Sequence, residues 1–316
     1  MIFICFFKYF DIKLRKDIFA KIGTMNYKHR NIVIKHQCYY RKWARRKKEL
    51  RNKRRRDKRS YPENPRIIVD THIWYLLGKN KEKFHKYRNK RLVPNFSNLY
   101  EFRNTLNLVT PKEESVRHAL QIVMKLKKQI NWTPAYVGIA QLANDFTFDP
   151  KVELASYLEF AERYVNGESI ANSKEVQFRE LHKKREESRQ KGIDYINQCI
   201  ETVKKTIRDK KEYRKKDTIC DTIRFINLIV SQTMSGKYNI EKIDPSQIEL
   251  LVKTLDQYLK AAVTGEDRLL DLNDWIDIET MGYVRPGDKF WTEEKRWKKY
   301  IKRAQCEHYL FNGQIN

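Results

Sequence analysis

The run Arg66-Ile67-Ile68-Val69-Asp70-Thr71 constrains the fold more than any other stretch of the chain. Three consecutive β-branched aliphatic residues lie between Pro65 and an abruptly polar Asp-Thr pair. A half-exposed strand would alternate apolar and polar residues, and a buried helix would need a longer apolar segment. An unbroken short run is the pattern of a strand covered on both faces, as in a parallel sheet, whose strands need crossover connections that are usually helical. The following segments agree. "THIWYLLGKNKEKFHKYRNK" reads as helix with breaks, "RLVPNF" as a second short strand, and "LYEFRNTLNLV" as a helix that Ser97 and Asn98 can cap. Residues 66–109 are thus expected to form the first part of an α/β domain.

From 110 to 265 the pattern becomes helix after helix. "TPKEESVRHALQIVMKLKKQ" and "DPKVELASYLEFAERYV" open with Pro in the first turn, and "DPSQIELLVKTLDQYLKAAVTG" has the same start and stops at Gly265. Residues 173–216 are long, charged and amphipathic, and are expected to form a projecting helix or a helical hairpin arm. The block is read either as an insertion packed on the sheet or as an arm that clamps substrate. Residues 266–316 return to α/β character. "LLDLNDWIDIETMGYV" suggests a helix leading to a strand, "RPGDKFWT" a turn and a strand ending at Thr292, and "EEKRWKKYIKRAQCEHYLF" a final helix. The expected architecture is a parallel sheet flanked by helices and split by a large all-helical insertion, preceded by a basic N-terminal region, 1–65.

Charge narrows the partners. The 66 Lys and Arg outnumber 40 Asp and Glu, a net charge of +26 that points to polyanions. Thirteen of the nineteen residues in 41–59 are Lys or Arg, against only Glu49 and Asp57. Such a segment would neutralise phosphates in a salt-dependent way, with Arg45, Arg46, Arg54 and Arg55 as candidate contacts and Trp43 able to stack on a base. The alternative is a solvated basic linker. Five cysteines without C-x-x-C spacing suit a reducing compartment, and a cytoplasmic protein is expected. The apolar start "MIFICFFKYF" is too short to span a membrane and lacks a cleavage site, and Met25 offers an alternative start. No G-x-x-x-x-G-K-[ST] or G-x-G-x-x-G loop is present, which removes the common nucleotide-binding signatures.

Acidic residues fall where an open parallel sheet keeps its functional edge, at the carboxyl ends of strands and on the helices that follow. Asp70 ends the first strand, Glu101 opens a helix, Asp274 and Asp277 share one helical face, and Glu294 follows the last strand. Each has an ordinary reading as well: a strand-end cap for Asp70, a surface helix residue for Glu101, and first-turn charges for the others. His72, after Asp-Thr, reads as a hydrogen-bonding or core residue rather than a general base. Brought together, the carboxylates would repel one another, and a divalent cation resolves that repulsion. Oxygen-only ligands select Mg²⁺ or Mn²⁺.

"RIIVDTHIWYLL", "VPNFSNLYEFRNTL", "LNDWIDIE" and "FWTEEKRW" resemble, in order, the four acidic motifs of PIN-domain ribonucleases. The resemblance covers residues 66–109 and 268–300 and implies a PIN-like, Rossmann-like fold. It implies Asp70, Glu101, Asp274 and Glu294 as catalytic metal ligands, with Asp277 and Glu293 as alternatives. Thr292 would orient a carboxylate or a water, and Thr71 and Thr292 would face substrate. Glu294 stands where the family usually has Asp. The implied activity is Mg²⁺- or Mn²⁺-dependent endonucleolytic hydrolysis, with RNA favoured over DNA and no covalent intermediate. Two other readings remain: a non-catalytic nucleic-acid-binding protein on a degenerate PIN-like domain, or a toxin neutralised by an acidic protein inhibitor.

Overall fold

The computed structural model describes residues 64–106, 113–143, 151–168, 172–233 and 244–313. The chain divides into two compact units, residues 1–60 and 61–316, and every described residue belongs to the second. Its elements are β1 (Arg66–Val69), α1 (Thr71–Lys79), α2 (Lys81–Tyr87), β2 (Arg91–Val93), α3 (Phe96–Leu106) and α4 (Glu113–Lys125). There follow α5 (Ala135–Ala143), α6 (Lys151–Asn166), α7 (Asn172–Thr206), α8 (Lys210–Lys215), α9 (Ile219–Thr233) and α10 (Glu249–Thr264). The chain closes with α11 (Leu272–Met281), β3 (Lys289–Trp291) and α12 (Lys295–Arg303).

The strands form a small parallel sheet in the order β2-β1-β3. Ile68 of β1 sits opposite Val93 of β2 and Phe290 of β3, so the strand with three β-branched residues is the central one. Ile67, Ile68 and Val69 are at most 1% exposed, which is what the unbroken apolar run requires. At the amino end of the sheet Arg66 forks onto Asp288, its Nε and Nη2 donating at 2.9 and 2.6 Å, and ties β1 to the turn that leads into β3. The helical block between β2 and β3 belongs to the same compact unit as the sheet. The protein is therefore a mostly helical α/β protein whose sheet is completed across a long helical stretch.

Local chemistry explains the boundaries. Asn80 breaks the first helical segment, its side chain accepting from Lys83 N and starting α2. Gly265 ends α10 with φ of +77°, a left-handed cap at which a side chain would be strained. Gly78 lies inside α1 because α4 crosses it closely: a Cβ there would stand 2.7 Å from the backbone nitrogen of Ala119.

Three expectations need correction. The 35-residue α7 does not project and forms no hairpin arm, since it packs on α10 and α11. Arg189, Ile193, Ile196, Ile200 and Val203 recur at three- and four-residue spacing and are buried, so the charged remainder faces outward. The cap of α3 is Asn95, whose side chain accepts from Asn98 N while its own N–H donates to Asn98 Oδ1. Ser97 instead donates to Glu279 Oε2. After α11 the chain turns back rather than forming a strand, with Tyr283 N and Val284 N donating to Thr280 O and Met281 O.

Candidate active site

β1 is flanked by β2 on one side and by β3 on the other, so its carboxyl end is the point where the strand order reverses. Open parallel sheets place ligands in the crevice outside such a point. Asp70 is the first residue there. Its N–H still bonds to Trp291 O at 3.0 Å, continuing the sheet, while its Oδ1 accepts from His72 N at 3.4 Å and begins α1. The carboxylate is thus both the strand-end cap and a group 5% exposed at the sheet edge. Its Oδ2 accepts from the Thr292 hydroxyl at 2.7 Å, and Thr292 Oγ1 in turn accepts from Glu294 N at 3.0 Å.

The second carboxylate is fixed through Asn98, whose side chain is fully buried. Its Nδ2 donates to Val69 O at 3.2 Å and to Thr71 Oγ1 at 2.9 Å, and its Oδ1 accepts from Trp74 Nε1 and Asn95 N. All four hydrogen-bonding positions of the amide are used, which locks the end of β1 against α3. One turn further along α3, Glu101 accepts from the Thr71 hydroxyl. Thr71 is therefore a buried relay between Asn98 and Glu101. The sequence marks Asn98 only as a cap candidate, and its position one turn before Glu101 is the available signal.

Asp277, on α11, is the third. Its Oδ2 accepts from Trp297 Nε1 at 2.8 Å. Burial raises its pKa well above the usual carboxylate value, and the charges of Asp70 and Glu101 raise it further. Burial likewise pushes Glu101 up to about 7, with the Asp70 charge adding to the shift and the Thr71 hydroxyl opposing it. Asp70 is also raised by burial, against the hydrogen bonds from Thr292 and His72 N. These three carboxyl groups form one electrostatic unit. Among the described residues, no group of three or more His, Cys, Asp or Glu side chains is placed closely enough to hold a metal ion.

No family model, curated protein or solved structure matches the chain.

Asp274 adds a smaller upward push on the Asp277 pKa but its oxygens are engaged elsewhere, and Glu294 is not in this unit. Asp274 accepts from Asp271 N in a reciprocal capping box, and its two oxygens are ion-paired with Arg296 and Arg268. Those oxygens stabilise the start of α11. Glu294 is exposed and its side chain makes no capping bond. Glu293 pairs with Lys298 at 2.5 Å. His72 is exposed and lies beside Asp70. Lys295, Lys299 and Lys302 form an exposed i, i+4, i+7 stripe on α12, which begins three residues after Thr292. Arg45, Arg46, Arg54, Arg55 and Trp43 lie outside the described residues.

Proposed function

We propose that the chain is a Mg²⁺- or Mn²⁺-dependent nuclease, acting on RNA in preference to DNA. One observation carries the reading. Buried Asp70 and partly buried Glu101 and Asp277 all have raised pKa values at the reversal point of a parallel sheet, and the charge of Asp70 contributes to the rise of the other two. Mutual repulsion at a buried site is costly for stability and is relieved by a cation. An all-oxygen donor set fits a hard divalent ion, for which these three would be the protein ligands. They would have to draw closer than they stand to share it. Such an ion, when bound, polarises a phosphodiester and lowers the pKa of its water.

The chain's own groups have separate tasks. Thr292 orients Asp70, and the Asn98–Thr71 pair orients Glu101. Trp297 holds Asp277, which is the α11 ligand in place of Asp274. The net charge of +26 and the lysine stripe of α12 supply the attraction for a polyanion that an acidic crevice lacks. The preference for RNA rests on the PIN-type resemblance of the four motifs, and so does the assignment to that family.

The test is cleavage of single-stranded RNA and DNA with Mn²⁺, Mg²⁺ or chelator. Asp70→Asn and Asp277→Asn should each abolish metal-stimulated cleavage and leave nucleic-acid binding largely intact. Full activity in Asp70→Asn sinks the assignment. The separation of the carboxylates favours one second reading, a nucleic-acid-binding protein without catalysis. That reading predicts tight binding, intact substrate and no thermal shift with Mn²⁺.

A further inference from the structure

α12 contains no acidic residue, and Lys295, Lys299 and Lys302 fall on one of its faces within an arc of about 60°. On α8, Lys210, Lys211, Arg214 and Lys215 fall within an arc of about 140°, and Glu212 lies outside it. All six lysines are exposed, and none has an ion-pair partner among the described residues. Like charges at i, i+4, as in Lys295 with Lys299 and Lys211 with Lys215, destabilise the helices that carry them.

Glu266, just past the end of α10, joins the two basic faces. Its Oε1 meets Arg214 Nη1 of α8 at 2.7 Å, and its Oε2 meets Arg303 Nη1 of α12 at 3.0 Å. α8 and α12 both pack on α10, and Arg214 Nε also donates to Thr264 Oγ1 of that helix at 3.3 Å. One carboxylate shared by two guanidinium groups leaves the junction positive. At its other end α12 starts three residues after Thr292, whose hydroxyl donates to Asp70. The belt therefore runs from the carboxyl edge of the sheet along α12 to α8.

Such a belt attracts a polyanion through counterion release, and its other side chains select which one. An anionic membrane also needs apolar side chains to insert, and Leu269 is the one large hydrophobic residue exposed among those described. A single strand takes much of its grip from stacking on aromatic rings. Here Trp297 and Tyr300 are buried and Tyr213 is half-buried. A double helix turns its bases inward and presents phosphates, which lysine reads as a point charge. We infer that the α12–α8 belt holds the phosphate backbone of double-helical RNA beside the crevice. The choice of RNA rests on the nuclease reading, whereas the grip on a duplex does not.

Fluorescence anisotropy of the full chain in chelator measures binding apart from any metal-dependent cleavage. The probes are an RNA duplex of about 16 base pairs, the span of a common duplex-binding module, and one of its strands alone. One triple variant combines Lys295→Gln, Lys299→Gln and Lys302→Gln, and the other combines Lys210→Gln, Lys211→Gln and Lys215→Gln. Glutamine keeps the helix propensity, so both should retain the parent circular dichroism. Each should bind the duplex at least about 10-fold more weakly and lower the salt slope by about 2–3, at roughly 0.9 per phosphate contact. A control triple of exposed lysines, Lys90→Gln, Lys125→Gln and Lys128→Gln, removes the same charge. It should change duplex affinity less than about 3-fold, because exposed charges act within a Debye length. The N-terminal basic segment is present in every variant, so differences between variants report the belt. An equal loss in the control triple, unchanged duplex affinity in either belt triple, or a larger loss for the single strand overturns the inference. Lost binding to phosphatidylserine vesicles or poly-glutamate, with duplex affinity intact, overturns it in favour of a membrane or an acidic protein.

Discussion

Thr292 donates its hydroxyl to Asp70 Oδ2 at 2.7 Å, joining groups 222 positions apart in the chain. The bond favours the ionised form of a carboxylate that burial otherwise pushes toward neutrality. Thr292→Val keeps the shape and removes the donor. Asp70 should then ionise at higher pH, and the acidic limb of the cleavage profile should move upward. Loss of the buried donor should also cost about 1–3 kcal/mol in denaturant unfolding. An unchanged acidic limb would count against Asp70 as the titrating ligand.

Asp274 and Asp277 lie three residues apart and should behave oppositely. Asp274→Ala takes from Arg296 one of its two carboxylate partners and from α11 one half of its capping box, so urea unfolding should show a loss of about 1–3 kcal/mol. Asp277→Asn removes a charge repelled by Asp70 and Glu101, so it should unfold no more easily than the parent while losing metal-stimulated cleavage. The reverse outcome would restore Asp274 as the ligand.

Glu101→Gln should stabilise the metal-free protein at alkaline pH. The Glu101 pKa rises on folding from the ordinary 4.5 to about 7. A group with a raised folded pKa contributes fully below 4.5 and loses that contribution as pH rises through 7. The variant's advantage should therefore open between those values and reach about 1–2 kcal/mol at pH 8, discounted for partial solvent contact. The parent's thermal stabilisation by Mn²⁺ should grow over the same interval, as protons leave the carboxyl groups, and should vanish in the variant.

His182 works in the opposite direction. Burial, with the charges of Arg103, Arg189 and Arg185, lowers its pKa from 6.5 to about 4. Its ring lies between the Tyr157 hydroxyl and Asn104 Oδ1. A depressed histidine contributes stability above 6.5 that drains away as pH falls toward 4. His182→Gln should flatten that acid limb in thermal melts at successive pH values.

Gly78→Ala tests the packing that carries β1. Its Cβ would stand 2.7 Å from Ala119 N and 2.8 Å from His118 C, so α1 and α4 must separate. A loss of about 1–3 kcal/mol is expected in chemical unfolding, although alanine is the better helix former.

The sequence by itself determined the elements whose causes are local. Ile67-Ile68-Val69 had to be a strand buried on both faces. Gly265 had to end a helix, and Asp244 with Pro245 had to open one. Asp70 was marked by its place after an apolar run. Tertiary structure decided which carboxylate on α11 has its pKa raised by the charge of Asp70. Asp274 and Asp277 share a helical face, and the choice depends on Arg296 and Trp297, which belong to a different helix. The same holds for α7, whose apolar stripe is diluted among charges until α10 and α11 cover it. Asn98 could be read as polar near a helix start. That its amide locks β1 to α3 follows only when Val69, Thr71 and Trp74 reach it from another element. Short-range rules specify where elements begin and end, because caps and periodicity act within one or two turns. The site is assembled from partners 20 to 222 residues apart, and no local rule reaches that far.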